Sequence, residues 1–150
     1  MEINYTEIFK HALTIFGLGG ITLFIVTKLI ERFIIEPVAE FRDTIKEITF
    51  SLVYYANIYS NAPSDTLPKE LLNEASRSIR TLSAKLYASI DHINCYSVFS
   101  FFKVLPKYKD SRDAARNLMN LSNAVYSKHF GDATSVADTV KKLLHIPIKD

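Results

Sequence analysis

The chain has 150 residues, 48 % of them apolar, with only Gly 4 and Pro 5, so it is neither collagen-like nor low in complexity. A formal net charge of +2 is too small to argue for a nucleic-acid partner. The single cysteine, Cys95, forms no internal disulfide, and nothing in the composition calls for an oxidising compartment.

From Ala12 to Thr27 the sequence ALTIFGLGGITLFIVT carries no charge. Crossing a hydrocarbon core takes about 20 predominantly apolar residues. Ile8 and Phe9 extend the run ahead of Lys10, and Lys28 extends it behind by snorkelling its ammonium to the headgroups. These residues predict a transmembrane helix ending near Ile30, within an anchor spanning residues 1–36. A buried soluble helix rarely stays apolar on every face for this long. A cleaved signal peptide starts on bases and ends on small residues, whereas here Glu2 and Glu7 precede the run and Lys28, Glu31 and Arg32 follow it. Lys10 is the only base ahead of the span; Lys28, Arg32, Arg42 and Lys46 follow it. That asymmetry predicts an outside N-terminus and a cytoplasmic C-terminal domain. Gly17, Gly19 and Gly20 do not make the four-residue pairing motif, since Ile21, Leu23 and Phe24 stand at the paired positions.

Residues 37–150 then read as a cytoplasmic helical domain. Pro37 suits the first turn of a new helix and pushes Glu36 away from helical geometry. The helix predicted over 37–60 carries Val38, Phe41, Ile45, Ile48, Leu52, Tyr55 and Tyr59 at alternating three- and four-residue steps. This stripe must be covered by helices of the same chain or of a partner. Tyr54, Tyr55 and Tyr59 cluster at its end. Tyrosine suits an interface or the rim of a core, and the three are candidate partner-binding residues.

After a loop around Pro63, a second helix is expected to run to about Ile93, with Leu72, Ala75, Ile79, Leu82, Leu86 and Ile90 on one face and Lys69, Arg77, Arg80 and Lys85 on the other. Tyr96 to Leu105 (YSVFSFFKVL) is expected to be a short helix or buried connector plugging the bundle, ended by Pro106. Asp110 or Ser111 is the expected cap of a helix over 111–129, with Ala114, Leu118, Leu121, Ser122 and Val125 inward and Gly131 as its stop. Ser135 and Asp138 resemble a capping box opening a last helix with Val136, Val140, Leu143 and Leu144. The fold expected is all-α: one N-terminal transmembrane helix, then a cytoplasmic bundle of about four helices.

No pattern points to catalysis. Asp91, His92 and Cys95 form the most enzyme-like local group, yet they crowd one helix end without an oxyanion loop. His11, His92, His129 and His145 lack ligand spacing, so no metal or cofactor is expected. Charge is more informative: residues 31–75 hold eight acids and four bases, and residues 76–129 hold nine bases and three acids. Lys103, Lys107, Lys109, Arg112 and Arg116 form the densest basic run. It suits anionic lipid headgroups or a nucleic acid, or pairs with the acidic helices of its own bundle.

The stretches FRDTIKEITFSLVYYANIYSNA and PKYKDSRDAARNLMNLSNAVYS, with the closing VKKLLHI, resemble a group of small bacterial proteins that join an N-terminal membrane span to a helical soluble domain. The resemblance covers most of residues 37–146. It implies an architecture and a bacterial source, hence an inner-membrane location, and carries no activity. The function expected is a membrane-tethered interaction module that binds a protein partner or itself. The alternative is a small membrane effector of stress or phage defence that assembles in the bilayer.

Overall fold

A computed structural model of the chain describes the backbone of residues 5–60, 68–126 and 130–147, and the side chains of residues 17, 19–59, 68–126 and 133–147. Every regular element among them is helical: α1 (Tyr5–Ile30), a π-helical turn (Glu31–Ile35), α2 (Glu36–Tyr54), α3 (Ala56–Ser60), α4 (Lys69–His92), α5 (Tyr96–Phe101), α6 (Tyr108–Ala124) and α7 (Phe130–Leu143). The chain divides into two compact units, Met1–Glu36 and Pro37–Asp150.

In the first unit, α1 has 26 residues, a length of about 39 Å at 1.5 Å per residue. The expected loss of helical geometry at Glu36 does not occur: its φ and ψ are −58° and −50°. The π-helical turn supplies the physical reason. A proline ring inside an α-helix collides with the carbonyl four residues earlier, and its nitrogen donates nothing. Widening the preceding turn relieves that collision, and the Glu36 N–H reaches the Glu31 carbonyl, five residues back. Among the described residues, no helix is long and apolar enough to cross a membrane. Much of the uncharged run lies outside that description, since the side chains of Ala12–Phe16 and Leu18 are not among those described.

The second unit is an all-α bundle. Its core holds Phe41, Ile48, Leu52, Tyr55 and Tyr59 from α2, α3 and the turn between them. All six residues expected on the inner face of α4 join them, as do Leu118, Leu121, Val125 and Val140. The main packing runs through α4, α6 and α7, with α3 against α7. Small residues bring α4 and α6 close: Ala75, Ala114 and Ala115 are buried, the Ser76 hydroxyl donates to the Ser122 carbonyl at 2.8 Å, and the Ser83 hydroxyl donates to the Ala115 carbonyl at 2.7 Å. Buried hydroxyls bonded in this way avoid the cost of an unmade hydrogen bond. Among the described residues the exception is Ser51 Oγ, which is buried without a partner.

Several expected boundaries move. The helix expected over 37–60 breaks at Tyr55, and a separate turn of helix, α3, follows. The start of α6 is Tyr108, three residues before Ser111, with Lys107 in extended geometry at its cap and no side-chain cap bond. Ser111 is buried instead, sharing a 2.8 Å hydrogen bond with the Tyr96 hydroxyl. Gly131 and Ser135 both lie inside α7, which begins at Phe130, so neither a stop nor a capping box falls there.

Candidate functional site

The three tyrosines expected at a partner surface do not act together. Tyr55 and Tyr59 are buried, at 6 % and 3 % exposure, and Tyr54 is 61 % exposed. The Tyr55 hydroxyl donates to Glu74 at 3.1 Å, and the Tyr59 hydroxyl donates to the Leu52 carbonyl. Burial holds both phenols neutral. It pushes Tyr59 up to about 12, with Asp138 adding to the rise, and it raises Tyr55, where Glu74 contributes next. Only Tyr54 is left for a partner. The long stripe of α2 is likewise used up inside the bundle.

A second apolar face remains on α2. Phe50, Val53 and Tyr54 are exposed at three- and four-residue steps, with the Phe50 and Tyr54 rings stacked at 5.7 Å. Beside Phe50, an open groove of ≈ 390 Å³ is lined by Ile45, Lys46, Thr49, His145, Ile146 and Pro147. This face was readable in sequence as a short second set of apolar residues at three- and four-residue steps from Phe50, lying off the first stripe, but the stronger pattern concealed it.

The basic run also divides. The Arg112 guanidinium donates to the Tyr108 hydroxyl at 2.8 Å, lies 5.5 Å from the centre of the Tyr87 ring and approaches Asp91 at 3.9 Å. That hydrogen bond is the main reason its pKa is raised, so it stays charged. Arg116 lies 3.6 Å from Asp113. Lys103, Lys107 and Lys109 are exposed and form no ion pair among the described residues. The acidic helix α2 meets the end and middle of α4 through Lys85–Glu47 at 2.7 Å and His92–Glu40 at 3.5 Å. Internal pairing therefore accounts for part of the charge pattern and leaves the three lysines unused.

The segment expected to plug the bundle does so in part, through its ends and through Phe99, which packs partly buried against the core. Tyr96 and Leu105 are buried, but Val98, Phe101 and Phe102 are exposed, with Phe101 at 81 %. Cys95 is exposed in left-handed geometry (φ 58°), and His92 faces Glu40. Among the described residues, no group of three or more His, Cys, Asp or Glu is placed to hold a metal ion. Compared with protein-family profiles, with curated proteins and with solved structures, the chain matches none.

Proposed function

We propose that this chain is a membrane-tethered helical interaction module: α1 anchors it, and the bundle binds a partner helix or a second copy through Phe50, Val53 and Tyr54. One observation carries the tether. Ile21, Leu23, Phe24, Ile25, Val26, Leu29 and Ile30 of α1, with Phe33, Ile34 and Ile35 of the π-helical turn, are all exposed, and the charged residues among them are confined to Lys28, Glu31 and Arg32 near the C-terminal end. Ten large apolar side chains without cover are untenable in water and suit lipid. The described part of this helix alone falls short of a span. The sequence adds Ala12–Phe16 and Leu18, and the backbone of α1 exceeds the ~30 Å of a hydrocarbon core. Lys28 pairs with Glu31 at 2.5 Å, which neutralises the charge at the end of the uncharged run. The basic flank favours a cytoplasmic bundle at a bacterial inner membrane.

The partner face is supported by the stacked Phe50 and Tyr54, since aromatic rings are enriched at the core of protein interfaces. The test is the oligomeric state and co-purifying proteins of the full chain in mild detergent, with and without Phe50→Glu. The module reading expects a dimer or a defined complex that the substitution dissolves; a strict monomer without partners opposes it. The effector alternative draws on Gly17, Gly19 and Gly20, around which a side chain would meet nothing within 4 Å, leaving that surface open to another helix. It predicts that overexpression collapses the membrane potential; unaffected growth and potential count against it.

A further inference from the structure

The exposed rings of Phe101 and Phe102 stand at one end of the bundle. Their centroids are 5.4 Å apart, edge to face, so the two rings pack on each other rather than on the core. Val98 and Val104 broaden this apolar tip.

The base of the tip is stiff. The Val104 N–H donates to the Phe99 carbonyl at 2.9 Å, and the Lys103 N–H donates to the Ser100 carbonyl at 3.1 Å. These two bonds close the end of α5 in the manner of a Schellman motif, with Lys103 in the left-handed position at φ 57°. Glycine is favoured there, because a side chain on left-handed backbone is strained. A lysine in that place is held against a local cost. Arg42 also donates to the Val104 carbonyl at 3.4 Å, and Tyr96 is fixed by Ser111 and by the Phe41 ring 6.0 Å away.

Charge identifies what the tip meets. No acidic residue occurs from His92 to Lys109, and among the described residues Lys103, Lys107 and Lys109, like Lys69 and Lys142 elsewhere on the bundle, form no ion pair. Protein interfaces are depleted in lysine, which keeps its hydration shell. Single-stranded nucleic acid is bound along a basic groove floored by successive stacking rings, whereas here the two rings meet edge to face on an exposed tip. Exposed phenylalanines followed within eight residues by three exposed lysines match a bilayer surface, with rings at the acyl boundary and ammonium groups at phosphate level.

We infer that the Phe101–Phe102 tip, with Lys103, Lys107 and Lys109, inserts into the headgroup region of an anionic bilayer. The inference deepens the tether reading by naming a second lipid contact, one that belongs to the bundle. Chain connectivity favours it: the tip abuts Arg42 in the first turns of α2, the end of the bundle from which the chain leaves Pro37 toward its N-terminus.

The chain contains no tryptophan, so Phe101→Trp introduces a sole indole at a site that is 81 % exposed. The full chain carrying it is placed in nanodiscs of phosphatidylcholine alone or mixed with phosphatidylglycerol, with brominated acyl chains as quenchers. The expected result is a blue shift and quenching in the anionic discs, weakening roughly fivefold for each of Lys103, Lys107 and Lys109 changed to Gln. Tyr126→Trp, beyond the far end of α6, should remain unquenched. Water-like emission in both discs overturns the proposal, as does equal quenching in both. Emission that shifts with protein concentration or with added oligonucleotide, and not with lipid, also overturns it and assigns the tip to that partner. A chain that stays dissolved without detergent and ignores neutral vesicles defeats the tether alone; flotation on anionic vesicles then decides the tip separately.

Discussion

Replacing Tyr59 tests most sharply the division of the tyrosine cluster into core and surface. Its ring is 3 % exposed. An aromatic side chain buries roughly 200 Å², which at about 25 cal/mol per Å² corresponds to about 5 kcal/mol. Tyr59→Ala should therefore remove about 4 kcal/mol, a large share of the roughly 5–15 kcal/mol that holds a domain of this size together. Tyr59→Phe keeps the ring and removes only the bond to the Leu52 carbonyl, costing about 1 kcal/mol. The two variants also separate at alkaline pH. The phenol has its pKa raised from 10.0 to about 12 in the folded chain, so the neutral form is the one that folding favours. That contribution, roughly 2–3 kcal/mol, is fully present below pH 10 and is lost as pH rises through 12. Tyr59→Phe should flatten this decline, leaving a smaller slope from Tyr55 and Tyr96, which are raised in the same direction. Urea titrations of the full chain in mild detergent, followed by circular dichroism over a pH series, measure both effects. If Tyr59→Ala unfolds where the parent chain does, or if Tyr59→Phe keeps the whole alkaline slope, the placement of this ring is wrong.

Ser51→Ala should be neutral or stabilising by up to about 1 kcal/mol, because it deletes a buried hydroxyl with no partner; a clear loss in the same titration would mean that the hydroxyl is bonded. Lys103→Gly should raise stability by about 1 kcal/mol through relief of left-handed strain while weakening binding to anionic vesicles, and a fall in both would contradict the dual role of that lysine. Phe50→Glu should leave the thermal midpoint nearly unchanged, since the ring is 70 % exposed, and should still dissolve the complex in detergent; loss of helicity would show that the ring supports the fold instead.

The inner faces of α4 and α6 were legible in sequence because a 3.6-residue period admits one solution once a stripe is continuous. Leu72 to Ile90 and Ala114 to Val125 are buried as that spacing requires. The partner surface was less legible. Periodicity marks which residues want cover, and it does not say whether the cover comes from the same chain, as it does for Tyr55 and Tyr59. Composition misdirected the reading at Phe101 and Phe102, since aromatic residues are usually interior and nothing local distinguishes a plug from a protruding tip. Pro37 misled for another reason. A π-turn can absorb a proline, and no sequence rule signals one in advance. Helix starts were the least readable feature, as Lys107 opens α6 in extended geometry without any capping side chain.

The tether is the central claim, and Cys95 gives direct access to it, being the sole cysteine and exposed. Bacterial cells expressing the full chain are treated with a membrane-impermeant maleimide before and after the inner membrane is opened, and the membranes are then washed at alkaline pH. The prediction is that Cys95 labels only after opening and that the chain stays in the membrane pellet. Labelling in cells with an intact inner membrane would contradict the orientation, and release into the wash would contradict the anchor.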